Sequence, residues 1–337
     1  MLGLLAMPGA QAASATLDFP VAKRPSPDAY PELRATFPEG VTGLPSVVYA
    51  RKAGYRPLTL DLYLPRHPEG AAPLPLVVHI HGGAWVSGTP RENGAFANFP
   101  AVLAALAARG YVVASVQYRL DGEARFPAAI EDVQDSIRFL RVHAVRYGLD
   151  AKRVAVWGGS AGGQLAALAA VACGTNAFRS DAVPNFVGSD APGAGPPPDA
   201  CVQCGVAWYP VTDFQTIPIP PNTTGPQPYL GCASFRCPKE KLAYASPASY
   251  VDHDDPPILL VHGDRDRLVA TSQSIEFQGR LKAAGVHSRL LLIPGADHGF
   301  VAGTLGATKA ASLQALEATF DFFDAVLKTT RLDSNSE

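Results

Sequence analysis

The chain has 337 residues, of which 47% are hydrophobic and 17% charged, and its formal net charge is −2. Because charges of neither sign form a long run, the sequence offers no electrostatic basis for binding nucleic acid or an anionic membrane. We also expect no stable membrane insertion, on the separate ground of apolar run length. The length would accommodate two average domains, but single α/β domains of this size are common, and we expect one domain.

The N-terminal segment 1–12 is apolar, and it ends in Ala-Gln-Ala, the small-x-small pattern of a signal-peptidase site. We therefore expect a signal peptide and a secreted or periplasmic protein, with residues 13–45 as an N-terminal extension. No Lys or Arg precedes the apolar stretch, so a different translation start or an unstructured terminus are the alternatives. No later stretch contains the roughly 18 uninterrupted apolar residues that a membrane span needs.

Two β-rich runs between 46 and 64 flank Lys-Ala-Gly, which is a hairpin signal. Beyond them, short apolar runs typical of strands buried on both faces alternate with segments of helical periodicity. The predicted strands are 76–80, 111–116, 154–157, 206–209, 258–262 and 289–293. The predicted helices are 102–108, 130–140, 164–171, 272–284 and 313–327. This alternation predicts an α/β fold with a mostly parallel, doubly wound sheet and helices on both faces.

Two stretches interrupt the alternation. Residues 174–200 are rich in Gly, Pro, Ala and Asp and lack periodicity, which is typical of a flexible surface loop. Residues 214–247 contain many prolines between two core strands, and we expect a small irregular lid insertion there. The domain is expected to span 46–330 and to be followed by a disordered tail at 331–337.

Five cysteines fit an exported protein, since four of them form two close pairs in the loop-rich part of the chain. Cys232 and Cys237 are expected to form a disulfide because a short loop would bring them together. Cys201 is expected to pair with Cys204, or Cys204 with Cys173. Cys173 is otherwise interpreted as a small buried apolar residue. Zinc bound by the four paired cysteines is the alternative, because Cys-x-x-Cys is also a ligand spacing.

The segment 158–162 reads Gly-Gly-Ser-Ala-Gly and lies between a predicted strand and a predicted helix. In that position a Gly-x-Ser-x-Gly match indicates a nucleophile elbow, a sharp turn that presents the serine at the edge of the sheet. Glycines two residues before and after the serine let strand and helix approach closely. Ser160 is therefore the predicted nucleophile, and a noncatalytic or phosphate-binding Gly-rich turn is the alternative.

A serine nucleophile needs a base to accept its proton and an acid to orient that base. His298 is the predicted base, because it follows the last predicted strand, at the edge where active sites of open α/β sheets form. Asp266, in the loop after the strand at 258–262, is the predicted acid. Asp264 is the alternative, although its position after Gly263 suits a residue that caps backbone N–H groups in a turn.

An oxyanion intermediate needs backbone N–H donors. Ala161 follows the nucleophile and is expected to supply one, while Gly83 and Ala84 supply others from the loop 81–85, His-Gly-Gly-Ala-Trp. We expect His81 to brace this loop by hydrogen bonding rather than to take part in the reaction.

Aromatic residues close to these motifs predict the substrate pocket. Trp85 follows the oxyanion loop, and Trp208 and Tyr209 end a predicted strand, so these three are the predicted substrate-binding residues. The predicted lid adds Tyr229 and Phe235. If the rings face the nucleophile, they form a flat cleft for planar aromatic and short acyl groups. The alternative is that they only pack the lid onto the sheet.

Several further motifs occur in order along the chain. They are Tyr-Arg-Leu at 118–120, Phe-Pro-Ala-Ala at 126–129, Ala-Ser-Pro at 245–247, His-Gly-x-x-Asp-x-x-Val at 262–269 and His-Gly at 298–299. With the elbow and the oxyanion loop, they resemble the α/β-hydrolase esterases and lipases related to hormone-sensitive lipase, particularly bifunctional feruloyl and acetylxylan esterases. The resemblance spans about 47–327. It departs at Ala84, where the lipase pattern has a third Gly, and at Gly159, where it has Asp.

The resemblance implies a serine carboxylic-ester hydrolase that forms an acyl-enzyme and needs no metal or other cofactor. The expected substrates are short-chain or aromatic esters of the feruloyl or acetyl type, small or polymer-linked, with aromatic polyesters as a further candidate. The alternatives are an arylformamidase or peptidase-like amide hydrolase and a noncatalytic binding protein of the same fold. The sequence does not predict an oligomeric state.

Overall fold

The computed structural model describes residues 33–173, 175, 177–178, 198–217, 227–232 and 237–328. The predicted signal peptide at 1–12 and tail at 331–337 lie outside the described residues, as do Phe235 and most of the predicted loop 174–200. In the part of the chain that is described, no helix combines the length and apolarity required to cross a membrane.

The described residues form one sheet of nine strands. The strands are β1 (Ala35–Thr36), β2 (Thr42–Ala50), β3 (Leu58–Leu64), β4 (Leu74–Ile80), β5 (Val112–Val116), β6 (Leu149–Gly159), β7 (Cys204–Trp208), β8 (Ile258–Gly263) and β9 (Ser288–Ile293). Their order in space is β1-β2-β3-β5-β4-β6-β7-β8-β9. The first four strands in that order pair antiparallel, and all pairs from β5 to β9 are parallel. The predicted mostly parallel sheet is confirmed.

Helices cover both faces of this sheet. They are α1 (Phe99–Ala108), α2 (Ala128–Val142), α3 (Ala144–Tyr147), α4 (Ala161–Val171), α5 (Gln227–Leu230), α6 (Lys239–Ala245), α7 (Ser272–Ala283) and α8 (Leu305–Phe323). Apolar residues of α2, α4 and α7 lie in one buried cluster, and those of α1 and α8 lie in the other. In β4, Val78 belongs to the first cluster and Val77 to the second, because successive strand residues point to opposite faces. The inner parallel strands β4, β5, β7 and β8 are therefore buried on both sides, whereas the edge strand β9 is partly exposed.

Two parts of the fold differ from the sequence-based expectation. The sheet begins at Ala35, before residue 46, because the short strand β1 pairs with β2. The predicted lid insertion at 214–247 is not wholly irregular, since its described residues include α5 and α6. Helix α6 follows Pro238 and consists mainly of Lys, Glu, Leu and Ala, which favour helix once proline has ended the preceding segment.

The disulfides pair differently from part of the prediction. Cys232 and Cys237 are bonded, as expected, but Cys201 is bonded to Cys173 at the end of α4. Cys204 is a free thiol that is fully buried in β7, and burial raises its pKa. The expected pairing of Cys204 with Cys201 or Cys173 is therefore wrong, because strand β7 directs its side chain into the core. Because Cys201, Cys232 and Cys237 are disulfide-bonded, they cannot bind zinc together with Cys204, so this structure does not support the zinc alternative.

We expect peptide mapping of the oxidised protein to find the bonds Cys173–Cys201 and Cys232–Cys237, with Cys204 as the thiol. Cys204 should react with an alkylating reagent only after denaturation, because it is buried and its thiolate is disfavoured. Mass spectrometry under nonreducing conditions measures both. A Cys201–Cys204 bond, or rapid alkylation of native Cys204, would contradict the structure.

A buried ion pair joins the segment after β5 to helix α2. The carboxylate of Asp132 accepts hydrogen bonds from Nε and Nη2 of Arg119, at 2.8 and 2.7 Å, and from the Arg119 backbone N–H at 2.9 Å. The Asp132 side chain is 0% exposed and that of Arg119 is 8% exposed. Lys52 lies 3.7 Å from Asp132, and Glu131 lies 3.4 Å from Arg119. Because both charges of the pair are shielded from water, removing either one would still leave the other without its main partner, which is strongly destabilising.

Replacing Asp132 by alanine should lower the free energy of unfolding by about 3–5 kcal/mol, because the buried guanidinium of Arg119 is left with a 3.4 Å ion pair to the partly exposed Glu131. The matched control is Asp321→Ala, which removes an ion pair to Arg109 from a side chain that is 73% exposed. That change should cost no more than about 0.5 kcal/mol. Urea denaturation measures both variants, and equal losses would show that burial of the first pair is unimportant.

Candidate active site

Ser160 lies at a sharp turn between β6 and α4. Its φ is 56° and its ψ is −119°, a strained conformation for a residue with a side chain. The neighbouring glycines leave no room for a side chain. A Cβ on Gly158 would lie 2.2 Å from the carbonyl oxygen of Gly162, and a Cβ on Gly162 would lie 2.0 Å from that of Ile80. The segment therefore has the geometry predicted for a nucleophile elbow.

The three residues predicted as a triad form a continuous chain of hydrogen bonds. Nε2 of His298 lies 2.9 Å from Oγ of Ser160, and Nδ1 of His298 lies 2.8 Å from Oδ2 of Asp266. They come from the segments that follow β6, β8 and β9, whose carboxyl ends meet at one edge of the parallel sheet. The carboxylate of Asp264 instead accepts a hydrogen bond from the N–H of Gly295, at 2.7 Å. It is thus Asp266 that faces His298.

Two backbone N–H groups and two imidazoles hold the Asp266 carboxylate. The side chain is 0% exposed, and Oδ1 accepts hydrogen bonds from the N–H groups of Leu268 and Val269, at 2.9 and 2.8 Å. Burial alone raises the pKa of Asp266, but hydrogen bonds from His262 and His298 outweigh it and hold this pKa below its usual range. Asp266 is therefore ionised at neutral pH, and Nδ1 of His298 donates to it.

His262 has a supporting position that sequence reasoning did not assign. Its buried Nε2 lies 3.2 Å from Oδ2 of Asp266 and 3.0 Å from the carbonyl oxygen of Val269. Because a carbonyl only accepts hydrogen bonds, Nε2 carries a proton, and Nδ1 contacts Oγ of Ser274 at 2.7 Å. The sequence signal for this contact is the spacing His-Gly-x-x-Asp, which places His262 four residues before Asp266 in one turn.

Asp297 joins the loop that contains Asp266 to the loop that contains His298. Its Oδ1 accepts hydrogen bonds from the N–H groups of Arg267 and His298, at 2.9 and 2.8 Å, and its Oδ2 pairs with the Arg267 guanidinium. These bonds lower the pKa of Asp297. The two loops are therefore fixed relative to each other by backbone contacts as well as by the bond from Asp266 to His298.

The predicted oxyanion loop faces the same opening. Gly83 and Ala84 have φ values of 109° and 53° and line a cleft beside Ser160. A Cβ on Gly83 would lie 2.2 Å from the carbonyl oxygen of Ser87, which explains the glycine there. Among the described residues, none accepts a hydrogen bond from the N–H of Gly83, Ala84 or Ala161. These three donors are therefore free to bind a ligand.

His81 braces this loop. The imidazole is buried, stacks on the ring of Tyr118 at 4.3 Å between centroids, and places Nδ1 2.7 Å from the carbonyl oxygen of Gly82. Burial is the main cause that lowers the pKa of His81, to about 4, so the ring is neutral at physiological pH. Its position agrees with the expected structural role.

The cleft has a volume of about 540 Å³, and of the three aromatic residues predicted to bind substrate only Tyr209 lines it. Trp208 is fully buried, and its Nε1 donates to Oγ1 of Thr319 in α8, at 2.9 Å. Trp85 is 5% exposed, and its ring stacks on that of Tyr229 at 4.5 Å between centroids. The prediction that Trp85 and Trp208 contact substrate is therefore not supported, because both indoles are used in packing.

Comparison with known proteins gives consistent matches. The chain is similar to the esterase LipC of Mycobacterium tuberculosis, at 32% identity over 68% of this chain and 53% of LipC. It is also similar to the esterase LipQ of the same organism, at 28% identity over 81% of this chain and 60% of LipQ. The chain thus spans a little over half the length of these curated relatives.

A solved structure described as a truncated form of a carbohydrate esterase from gut microbiota superposes with a TM-score of 0.67 and 26% identity. The superposition covers 85% of this chain and 96% of that one. The BD-FAE family profile matches residues 60–281, which is more than half of the chain and includes Ser160 and Asp266. The protein therefore belongs to the BD-FAE family, and its fold is that of the α/β-hydrolases.

Proposed function

We propose that the protein is a serine carboxylic-ester hydrolase that works through an acyl-enzyme. The observation that carries this proposal is the hydrogen-bonded chain from Ser160 through His298 to Asp266, placed beside three free N–H donors at an open cleft. The named esterases among its relatives support the same reaction class. The residues provide a nucleophile, a base, an orienting anion and a site for negative charge.

In the proposed first step, Nε2 of His298 accepts the proton of Ser160 while Oγ attacks the ester carbonyl. The ionised Asp266 stabilises the imidazolium that forms. The N–H groups of Gly83, Ala84 and Ala161 then stabilise the oxyanion, which lies in front of the N-terminus of α4. When the intermediate collapses, Nε2 returns the proton to the leaving alcohol, and the acyl group stays on Ser160.

The second step repeats the first with water as the nucleophile. Nε2 of His298 accepts a proton from water, whose oxygen attacks the acyl carbon, and the same N–H groups hold the second oxyanion. Collapse releases the carboxylic acid and returns the proton to Oγ of Ser160. The two steps together consume one water and yield one acid and one alcohol.

Replacing Ser160 by alanine should lower kcat for p-nitrophenyl acetate by a factor on the order of 10⁴ or more, because triad residues act as a unit. His298→Ala should cause a loss of similar size. Both variants should keep the wild-type melting temperature to within a few degrees, which circular dichroism measures. If a folded variant retained even a tenth of the wild-type kcat, the assignment of the triad would be wrong.

The cleft also supports a proposal about the substrate. Its walls near Ser160 consist largely of glycines and polar groups, and its larger apolar residues, Val86 and Leu268, are 53% and 68% exposed. Among the described residues, no buried apolar channel lines this opening. We therefore propose short-chain and feruloyl-type or acetyl-type esters as substrates, with aromatic polyesters as a slower side reaction.

We expect hydrolysis of p-nitrophenyl acetate, p-nitrophenyl butyrate and methyl ferulate, and little hydrolysis of p-nitrophenyl palmitate or long-chain triglycerides. A tunnel that buried the acyl chain would raise kcat/KM about fourfold for each methylene it covered. An open polar cleft gives no such gain. A kcat/KM that rose steadily from two to sixteen acyl carbons, without activity on methyl ferulate, would defeat this substrate proposal.

The cellular location is proposed on separate grounds. The two disulfides, Cys173–Cys201 and Cys232–Cys237, are stable in oxidising compartments and are reduced in most cytosols. They support the proposal that the protein is secreted or periplasmic.

A further inference from the structure

A buried polar chain that takes no part in the triad ends in the wall of the active-site cleft. It begins at the carbonyl oxygen of Pro90, which accepts a hydrogen bond from Oγ of Ser115 at 2.7 Å. Ser115 contacts Nδ1 of His79 at 2.9 Å, and Nε2 of His79 contacts Nδ2 of Asn93 at 3.2 Å. Oδ1 of Asn93 lies 3.4 Å from the hydroxyl of Tyr209.

The first bond in this chain determines the direction of all the others. The carbonyl of Pro90 only accepts, so the hydroxyl proton of Ser115 points to it, and Oγ must accept a proton from Nδ1 of His79. Burial lowers the pKa of His79, so the imidazole is neutral and its Nε2 is an acceptor. The amide of Asn93 must then present Nδ2 to His79, which directs Oδ1 to Tyr209.

Two hydrogen-bonding positions remain unused after these assignments. Nδ2 of Asn93 carries a second proton that has no acceptor among the described residues. The hydroxyl of Tyr209 donates its proton to Asn93, so its lone pairs remain free to accept. Both residues belong to the lining of the cleft, with Asn93 6% and Tyr209 2% exposed. A free donor and a free acceptor therefore lie side by side in the cleft wall.

The missing side chain of Gly159 makes room for this pair. A Cβ there would lie 2.9 Å from Oδ1 of Asn93 and 2.9 Å from the hydroxyl of Tyr209. Both polar groups are thus packed directly against the residue that precedes Ser160. The ring of Tyr209 also contacts the imidazole of His298, at 4.7 Å between centroids. In the proposed mechanism His298 protonates the leaving alcohol, so Tyr209 lies beside the group that meets the alcohol.

We propose that Asn93 and Tyr209 form a subsite that binds a hydroxyl group carried by the alcohol part of the ester. A hydroxyl both donates and accepts one hydrogen bond, so it matches an adjacent acceptor and donor. Asn93 donates to the substrate oxygen, and the phenolic oxygen of Tyr209 accepts the substrate proton. This subsite determines specificity for the proposed esterase reaction and rests on that function.

The test compares two nearly isosteric esters, 2-hydroxyethyl benzoate and propyl benzoate, with the full-length protein. The measured quantity is kcat/KM for 2-hydroxyethyl benzoate divided by kcat/KM for propyl benzoate. We expect Tyr209→Phe and Asn93→Ala each to lower this ratio by about 2- to 10-fold, the range for one hydrogen bond between uncharged groups. The ratio cancels differences in enzyme concentration and in the chemical step. The control Tyr244→Phe removes a hydroxyl that bonds to the carbonyl oxygen of Ala177, outside the cleft lining, and should leave the ratio unchanged.

Tyr209→Phe is the decisive variant, because it removes one oxygen atom and keeps the packed ring. A ratio that stayed at the wild-type value in this variant, while p-nitrophenyl acetate was still hydrolysed, would overturn the subsite alone. A proportional fall for both benzoate esters would also overturn it, since that result shows a general effect on His298. If the wild-type protein hydrolysed none of these esters, the subsite and the proposed function would both be overturned.

Discussion

The candidate active site is built around the strained backbone of Ser160. A positive φ at a residue with a side chain costs on the order of 1–3 kcal/mol, and packing around the turn must offset that cost. Here the carbonyl oxygens of Ile80 and Gly162 lie where side chains on Gly162 and Gly158 would be, so strand β6, strand β4 and helix α4 are in direct backbone contact. The N–H of Ser160 also donates to the carbonyl oxygen of Trp208, at 2.9 Å. The central strands therefore hold the serine in place, together with the start of the oxyanion loop, where a Cβ on Gly82 would lie 2.8 Å from the carbonyl oxygen of Gly159.

His298 and Asp266, the proposed base and acid, are held by a different principle, which is the complete use of hydrogen-bonding groups. Asp266 is buried and ionised, and its stability there requires that both oxygens have donors. Two backbone N–H groups serve Oδ1, and the imidazoles of His262 and His298 serve Oδ2. Hydrogen bonds to Val269 and Ser274 fix His262, and His262 in turn fixes the carboxylate of Asp266. The bond from Nδ1 of His298 to this carboxylate then orients the imidazole of His298. The tautomer that leaves Nε2 free to accept a proton follows from this arrangement.

The sequence predicts those features that depend on local pattern or chain order. Local pattern predicts the apolar strand β4 and the elbow around Ser160. Chain order predicts the position of His298, because parallel strands bring their carboxyl ends to one edge of the sheet. Features that depend on tertiary contacts cannot be predicted from the sequence pattern. Periodicity does not show that the indole of Trp208 turns toward α8, nor that Cys201 lies beside Cys173 while Cys204 points into the core. Strand β1 was missed because two residues, Ala35 and Thr36, carry no pattern.

The departure at Gly159 connects the fold with the proposed selectivity of the cleft. Where the related lipase pattern has an aspartate, this chain has no side chain, and the space is filled by the amide of Asn93 and the hydroxyl of Tyr209. An aspartate there would introduce a charge next to the nucleophile, whereas Asn93 and Tyr209 are neutral and buried. His79 orients the amide of Asn93, and the amide in turn orients the hydroxyl of Tyr209. His79 is itself held by Ser115, whose hydroxyl donates to the backbone carbonyl of Pro90. The polar groups packed beside Ser160 therefore belong to a hydrogen-bonded network that begins in the buried sheet, and the proposed subsite uses the donor and the acceptor at the end of that network.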